Sequence, residues 1–489
     1  MLKQTFTINP VGQGLFYTGE ISTGINNKPF RFVFDCGSFN KANCLEEVAN
    51  YRKLNLVDQQ ELDLLIISHF DADHINHIGK LLEGNIKVKK LVMPFLTFEE
   101  RLFLVLRFLS PFNGQSFIDD DFPVRFIIDP LGTLSGNLDN DSEVFLIVEG
   151  PISPTGIDNS GEEFSLNSKF EEGEELKFSF HAPKKLESSD NDDLILGQKN
   201  KGSIFKIRDN DPGTLKYSFS NILVMQFIFY KRSLGQNEEK FYKNVYQKFC
   251  ERHGINNFCD HEEFLKQVIE KLMVTRSGRS IREIFSESAQ GIAIQTRGRA
   301  INDLNTTSLC LLHINNEQFI KSLLRQHRGR FDVDSVVKFL QKPDGSRATY
   351  FTVPVGKYHD KWRGPIFSLN RRIQSKRFPN TLLTSDCFLS EQKEVVDFYN
   401  KFSTYWSDFW LFQIPHHGSK RSSDRALFSR ISSNLYLFIN YGVKKEWPGK
   451  WRHPSAETIV ALTETGHSSE LMPINEFFGI QFLLEILAF

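Results

Sequence analysis

The sequence predicts an α/β fold in which sheets and helices stack in layers. Three observations lead there. Short apolar, strand-like runs alternate with helical stretches in the first and last thirds of the chain, and strands return late. One run, Leu62–Ser68 (LDLLIIS), is nearly continuous in apolar residues, as expected of a strand covered on both faces. The chain has 489 residues, 40% hydrophobic and 24% charged, which is ample for a large core and unlike a disordered polymer.

Taken in order, Thr5–Ile8, Leu15–Glu20 and Phe30–Phe34 read as strands split by Gly and Asn turns. After Leu62–Ser68 a helix is expected from His74 to Glu83, then a strand at Leu91–Pro94. The middle is less regular. Residues 139–193 hold 15 acidic and 4 basic side chains, a local charge of −11, and read largely as solvated loop around the short strands Val144–Val148 and Leu176–Phe180. Asn221–Tyr230 reads as a strand, Glu238–Glu251 and His261–Val274 as helices. In the last third Ser308–His313, Thr381–Thr384, Leu435–Asn440 and Phe478–Leu487 read as strands and Ala456–Thr463 as a helix. Residues 357–378 carry seven basic side chains and one acidic.

Composition excludes several classes. The net charge is −1, against a uniformly basic nucleic-acid binder, although a local basic patch is allowed. No stretch reaches the roughly 18–20 uninterrupted apolar residues of a membrane span. The N-terminus, MLKQTFTINP, lacks an apolar signal-peptide region, so the expectation is a cytoplasmic protein. The six cysteines form no CxxC, and reduced thiols are expected. Cys250, His253, Cys259 and His261 offer either a small structural zinc site or a helix-end loop with free thiols.

The sharpest chemical signal is Ser68-His69-Phe70-Asp71-Ala72-Asp73-His74, directly after the buried strand. Imidazole nitrogens and carboxylate oxygens are natural ligands for Zn²⁺, Mn²⁺ or iron, and a loop leaving a strand can aim alternate side chains into one cavity. His69 and Asp71 can share one ion, Asp73 and His74 a second. Asp71 or Asp73 could instead cap the next helix. Downstream, Asp386 ends the apolar run of Thr381-Leu-Leu-Thr-Ser-Asp386 and could bridge two ions or sit in a turn. His416 and His417 follow another apolar run in Ile414-Pro-His-His-Gly-Ser419, and adjacent histidines are costly to bury without partners. His453 stands in Trp451-Arg-His-Pro-Ser455, before a Pro-initiated helix.

This ordered set resembles the metallo-β-lactamase fold, most closely the hydrolase domain of ComEC-type competence proteins and their stand-alone relatives. Val11-Gly12-Gln13-Gly14 is similar to that subfamily's opening, and Phe34-Asp35-Cys36-Gly37 to the first Asp of the fold. HFDADH stands where the superfamily has HxHxDH, with the ComEC-type Asp in place of the second His. Asn305-Thr-Thr-Ser308-Leu309, LLTSD, IPHHGSKRSS and RHPS follow in the family's order. The resemblance implies a four-layer αββα sandwich with long insertions. Residues 1–95 would form its N-terminal half, 96–300 an insertion region with one further core strand near 174–183, and 301–489 the C-terminal half with a basic insertion at 314–378.

It also implies one or two divalent ions, Zn or Mn, on His69, Asp71, Asp73, His74, Asp386, His416 and His417. Asp71 makes the first position oxygen-rich and tilts the choice towards Mn²⁺. The superfamily's third-motif His is missing near Leu304–Asn305, and Asn305, His181 and His313 are the candidate substitutes. His77 departs from the family's small residue and reads as a surface histidine.

The expected function is a metal-dependent phosphodiesterase or nuclease that uses a metal-bound hydroxide. Asp73 would hold or accept the proton of the water and His453 would stabilise the leaving oxygen. Lys420, Arg421 and Arg452 would bind substrate, within a segment, 417–453, of eight basic and two acidic residues suited to a nucleic-acid or nucleotide anion. Two other classes stay open. One is a metallohydrolase of a small ester, lactone or phosphoester. The other is a non-catalytic interaction protein of a multi-component system, since some stand-alone relatives resemble antiviral defence components. A protein partner would meet the 96–300 insertion.

Overall fold

The computed structural model describes residues 2–24, 28–56, 60–109, 122–151, 174–181, 183–186, 202–255, 267–268, 270–271, 278–290, 292, 308–320, 331–341, 349–357, 380–389, 391–406, 408–409, 411–420, 422–423, 425–431, 435–443, 453–467 and 471–488. The strands of its first half are β1 (Leu2–Ile8), β2 (Gly14–Thr23), β3 (Phe30–Ser38), β4 (Glu61–Ile66), β5 (Lys87–Pro94), β6 (Glu143–Val148), β7 (Leu176–Phe180), β8 (Lys184–Lys185), β9 (Ser203–Arg208), β10 (Gly213–Tyr217) and β11 (Leu223–Lys231). The second half adds β12 (Leu309–Asn315), β13 (Phe331–Gln341), β14 (Thr349–Lys357), β15 (Thr381–Leu383), β16 (Leu411–Gln413), β17 (Tyr436–Asn440), β18 (Leu471–Ile474) and β19 (Phe478–Ala488). The helices are α1 (Lys41–Tyr51), α2 (Ala72–Ile75), α3 (Ile78–Leu81), α4 (Phe98–Leu109), α5 (Phe122–Ile128), α6 (Pro130–Thr133), α7 (Gln236–His253), α8 (Gly278–Ser288), α9 (Gln392–Phe402), α10 (Arg425–Phe428) and α11 (Ala456–Glu464).

The protein is α/β with two mixed sheets. An eleven-stranded sheet runs β14-β13-β19-β1-β2-β3-β4-β5-β6-β9-β8, and an eight-stranded sheet runs β18-β17-β16-β15-β12-β11-β10-β7. β3, β4, β5, β6 and β9 are mutually parallel, as are β15 to β18; the other pairings are antiparallel. Parallel strands are covered on both faces, which is why β4 reads as a continuous apolar run. Its Leu65 joins an apolar cluster with Val48, Leu102, Phe126, Val245 and Ile284 of α1, α4, α5, α7 and α8. Leu64 and Ile66 turn the other way, into a cluster with Phe227, Leu311 and Phe438 of the second sheet. The second sheet's other side, with Leu382 and Phe412, meets Phe398, Phe428 and Leu462 of α9, α10 and α11. Each fully buried Leu or Phe contributes about 1.5–3 kcal/mol. No helix among the described residues is long and apolar enough to cross a membrane.

Stretch 96–300 is woven into both sheets. β6, β8 and β9 extend the first sheet, and β7, β10 and β11 the second. The basic run 357–378 lies outside the described residues except for Lys357 at the end of β14.

The helix expected over His74–Glu83 is two short turns, α2 and α3. Asn76 breaks it because its side chain is committed to the Ser38 backbone: Oδ1 accepts from the Ser38 N–H at 3.0 Å and Nδ2 donates to the Ser38 carbonyl at 2.8 Å. The His77 N–H donates to the Cys36 carbonyl at 3.0 Å. This docking buries His77 to 3% exposure, with its Nδ1 against Asn76 Oδ1, so the surface reading of His77 is corrected.

Glycine makes the docking possible. A Cβ on Gly37 would stand 2.6 Å from the His74 carbonyl carbon and 2.7 Å from that of Asp73. Gly37→Ala is therefore expected to displace the 73–74 backbone and destabilise the fold by about 1–3 kcal/mol. A denaturant midpoint equal to the native one would contradict it.

Candidate metal centre

The histidines and aspartates converge where parallel strands end, the usual position of sites in α/β sheets. His69 to His74 follow β4 and Asp386 follows β15. His416 and His417 follow β16, and Asp35 lies near the end of β3. Two sheets thus bring together residues more than 300 positions apart: Ser68 Oγ lies 2.6 Å from Ser385 Oγ, and His417 Nε2 lies 3.2 Å from Asp73 Oδ2.

Each imidazole is held through Nδ1 and presents Nε2. His74 Nδ1 donates to Asp35 Oδ2 at 2.8 Å, and His417 Nδ1 donates to the Asn440 carbonyl at 2.8 Å. His416 Nδ1 is 2.7 Å from Ser422 Oγ, and His69 Nδ1 is 2.9 Å from Ser68 Oγ. Such outer hydrogen bonds fix ring orientation and the atom left for a ligand. The four Nε2 atoms surround Asp386. His69 and His416 approach its Oδ2 at 3.7 and 3.5 Å, while His74 and His417 approach its Oδ1 at 3.5 and 3.6 Å. Asp71 Oδ2 adds an oxygen 3.8 Å from His69 Nε2.

Asp73, His74, His417, Asp386 and His69 are buried, whereas the Asp71 and His416 side chains keep 19% and 22% exposure and mark the open side. His69 Nε2 and His74 Nε2 are buried with no hydrogen-bond partner. A buried polar atom without a partner is costly, and the cost disappears if an ion occupies the gap. Zinc ligands at about 2.0–2.2 Å in tetrahedral geometry stand about 3.4 Å apart, close to the spacings around Asp386. Three groups among the described residues, Asp73/His74/His417, His69/Asp71/Asp386 and Asp35/His69/His74, have ligand atoms within 4.8 Å of one another and can hold a metal ion.

The backbone here is strained. Of seven non-glycine residues with positive φ among the described residues, four are Asp35, Ser385, His416 and His417. Left-handed backbone costs such residues about 1–2 kcal/mol each and is kept where the surroundings over-determine it, typically at functional sites.

Charge tunes the cluster. Burial pushes the Asp386 carboxyl up, but His416, His417 and His74 outweigh it and hold it well below the ordinary carboxylate range. Asp73 is likewise raised by burial yet ends lowered by His74 and His417. Burial lowers the His74 and His417 imidazoles, but the surrounding carboxylates reverse this and raise both, His74 strongly. For His416 burial wins and the shift is downward. A proton raised on His74 and His417 must leave before Nε2 can ligate. Metal affinity is therefore expected to rise with pH above the ordinary imidazole value of 6.5, with protons released on binding. Titration calorimetry in buffers of different ionisation enthalpy reads the release; pH-independent affinity between 6 and 8 would exclude it.

The other expected residues are dispersed. His453 stands beside the cluster, its ring 5.7 Å from His416 and 6.1 Å from His417. Burial and then its two histidine neighbours push its imidazole down to about 3, so it is neutral and can act only as an N–H donor or an acceptor. Lys420 is on the surface, with Nζ 2.7 Å from Glu457 Oε1. Arg421 and Arg452 lie outside the described residues, as do Asn305, Cys259 and His261. His313 is committed to the core between the sheets, with Nε2 2.6 Å from the Tyr17 hydroxyl. His181 is exposed at the end of β7.

Sequence reasoning attached no contact role to Asp35, Ser385, Asn440 or Arg107. The Arg107 guanidinium holds Asp71 Oδ2 at 2.8 Å. Asp35 and Ser385 lie within the FDCG and LLTSD motifs, whereas Asn440 and Arg107 carry no local signal. No family model and no curated protein matches the chain.

Proposed function

We propose that the chain is a metal-dependent hydrolase of phosphodiesters, built on a four-layer αββα sandwich of the metallo-β-lactamase type. The observation that carries this reading is the convergence of four imidazole Nε2 atoms on the two oxygens of one buried carboxylate, Asp386. The three apolar clusters, one between the sheets and one on the helix-covered side of each, support the layer order.

Two positions follow. Asp73, His74 and His417 line one with Asp386 Oδ1; His69, Asp71 and His416 line the other with Asp386 Oδ2. His416 then fills the place for which no third-motif histidine exists. When bound, divalent ions supply Lewis-acid charge and acidify a water. Asp73, whose Oδ2 lies 3.2 Å from His417 Nε2, would hold an attacking water or accept its proton. His453, neutral at the open side, donates N–H to the leaving oxygen. A shared carboxylate between two positions suits in-line displacement at phosphorus, where attacking and leaving oxygens both need charge. The basic residues of 417–453 suit a nucleotide or nucleic-acid anion.

The test is a screen of the full chain, stripped of metal and reloaded with Mn²⁺ or Zn²⁺. The substrates are bis(p-nitrophenyl) phosphate, single- and double-stranded DNA, RNA and a lactone. Metal-dependent phosphodiester turnover is expected. Lactone turnover alone, or a chain that binds less than a tenth of an ion, would overturn the reading.

A further inference from the structure

The two positions differ in one feature that the residues around Asp386 do not explain. Arg107, in the last turn of α4, places Nη2 2.8 Å from Asp71 Oδ2. That oxygen is the one facing His69 Nε2, 3.8 Å away. Both side chains are mostly buried, at 17% and 19% exposure, so solvent screens the pair weakly. Among the described residues no arginine is paired with Asp73, whose carboxylate faces His417. α4 is anchored to the core through Leu102, Val105 and Leu106, which fixes where the guanidinium can go.

We propose that Arg107 makes the two metal positions unequal. It occupies one lone-pair direction of Asp71 Oδ2 and sets a permanent positive charge beside the His69–Asp71–His416 position. This inference rests on the metallohydrolase reading above. A guanidinium that shared one oxygen with an ion would stand roughly 6 Å from it and roughly 10 Å from the other position, so even with the full screening of water a unit charge would weaken a dication about tenfold at the first and about fourfold at the second. In the partly buried site the effect is larger. The first ion therefore enters the Asp73–His74–His417 position, and the second binds at least about 2–3-fold more weakly on the open side. Arg107 is a positioning residue: it acts through Asp71.

Titration calorimetry of the metal-free full chain with Mn²⁺ tests this. The native chain is expected to show two affinities at least about 2–3-fold apart. Arg107→Gln keeps an amide donor for Asp71 and removes the charge, so both affinities should tighten, the weaker by at least about 2–3-fold more than the tighter, and the gap should narrow. Arg107→Lys restores the charge and should restore the gap. A merely structural arginine would lower the unfolding midpoint and leave the ratio of the two affinities alone. Two ions binding to Arg107→Gln with an unchanged or wider gap would overturn this inference by itself. A native chain that binds no ion would overturn it together with the reading on which it rests.

Discussion

Asp386→Asn is expected to lower phosphodiester turnover by about 10³-fold or more and to abolish binding of at least one ion. The carboxylate is 3% exposed and faces four imidazoles within 3.7 Å. Its charge is sustained by those rings against the pull of burial. Asparagine has the same shape, so packing against the Ser385 turn is retained. One oxygen becomes an NH₂ group, whichever way the amide turns. That group offers protons to Nε2 atoms whose lone pairs are needed, and no charge to an ion. Metal content by elemental analysis, turnover of bis(p-nitrophenyl) phosphate and the thermal transition should be read together. Turnover within tenfold of native with two ions bound would show that Asp386 is not the shared group.

Asp35→Ala should be the most damaging change to stability, about 3–5 kcal/mol in denaturant unfolding. Asp35 is fully buried and accepts three hydrogen bonds: from the Ser68 N–H at 2.7 Å, from Ser68 Oγ at 2.5 Å and from His74 Nδ1 at 2.8 Å. Removing it strands the His74 imidazole and the Ser68 amide away from water. Alanine also inherits a left-handed φ of 57°, which Asp and Asn tolerate better. Asp35→Asn separates the two effects, since it keeps the tolerated backbone and most of the shape but loses the charge facing His74. Both variants should also lose about 10–100-fold in metal affinity, because His74 is no longer oriented. A midpoint shift under 1 kcal/mol in Asp35→Ala would show that the loop carries its own conformation.

Much of the candidate centre is readable locally. HFDADH, LLTSD and IPHHG each follow an apolar run, and all three runs are short buried strands whose next residues leave the sheet edge. β4 is expected over Leu62–Ser68 and observed over Glu61–Ile66; α7 and α11 lie within two residues of their expected limits at each end. Hydrophobic periodicity is a local property, and these segments obey it. The errors are where tertiary contacts prevail. His77 is drawn under β3 by the Asn76 side chain, and the helix around it breaks for the same reason. Stretch 96–300 reads as polar and irregular apart from Val144–Val148, Leu176–Phe180 and Asn221–Tyr230, yet six strands within it complete the two sheets.

Residue type and spacing were enough to say that imidazoles and carboxylates leave strand ends in a metal-ligating pattern. They did not say which atoms meet. His416 and His417 are neighbours in sequence, but their left-handed backbone sends one Nδ1 to Ser422 and the other to the Asn440 carbonyl, so their Nε2 atoms address opposite oxygens of Asp386. Asp35 and Arg107 take their roles from partners 33 to 39 residues distant in the chain. The meeting of His69 and His74 with Asp386, and of Asp73 with His417, arises only when two sheets bury their apolar faces against each other and bring their strand ends to a common edge. Burial there makes the position of each polar atom strict, because an unpaired one is expensive, and no local pattern records that requirement.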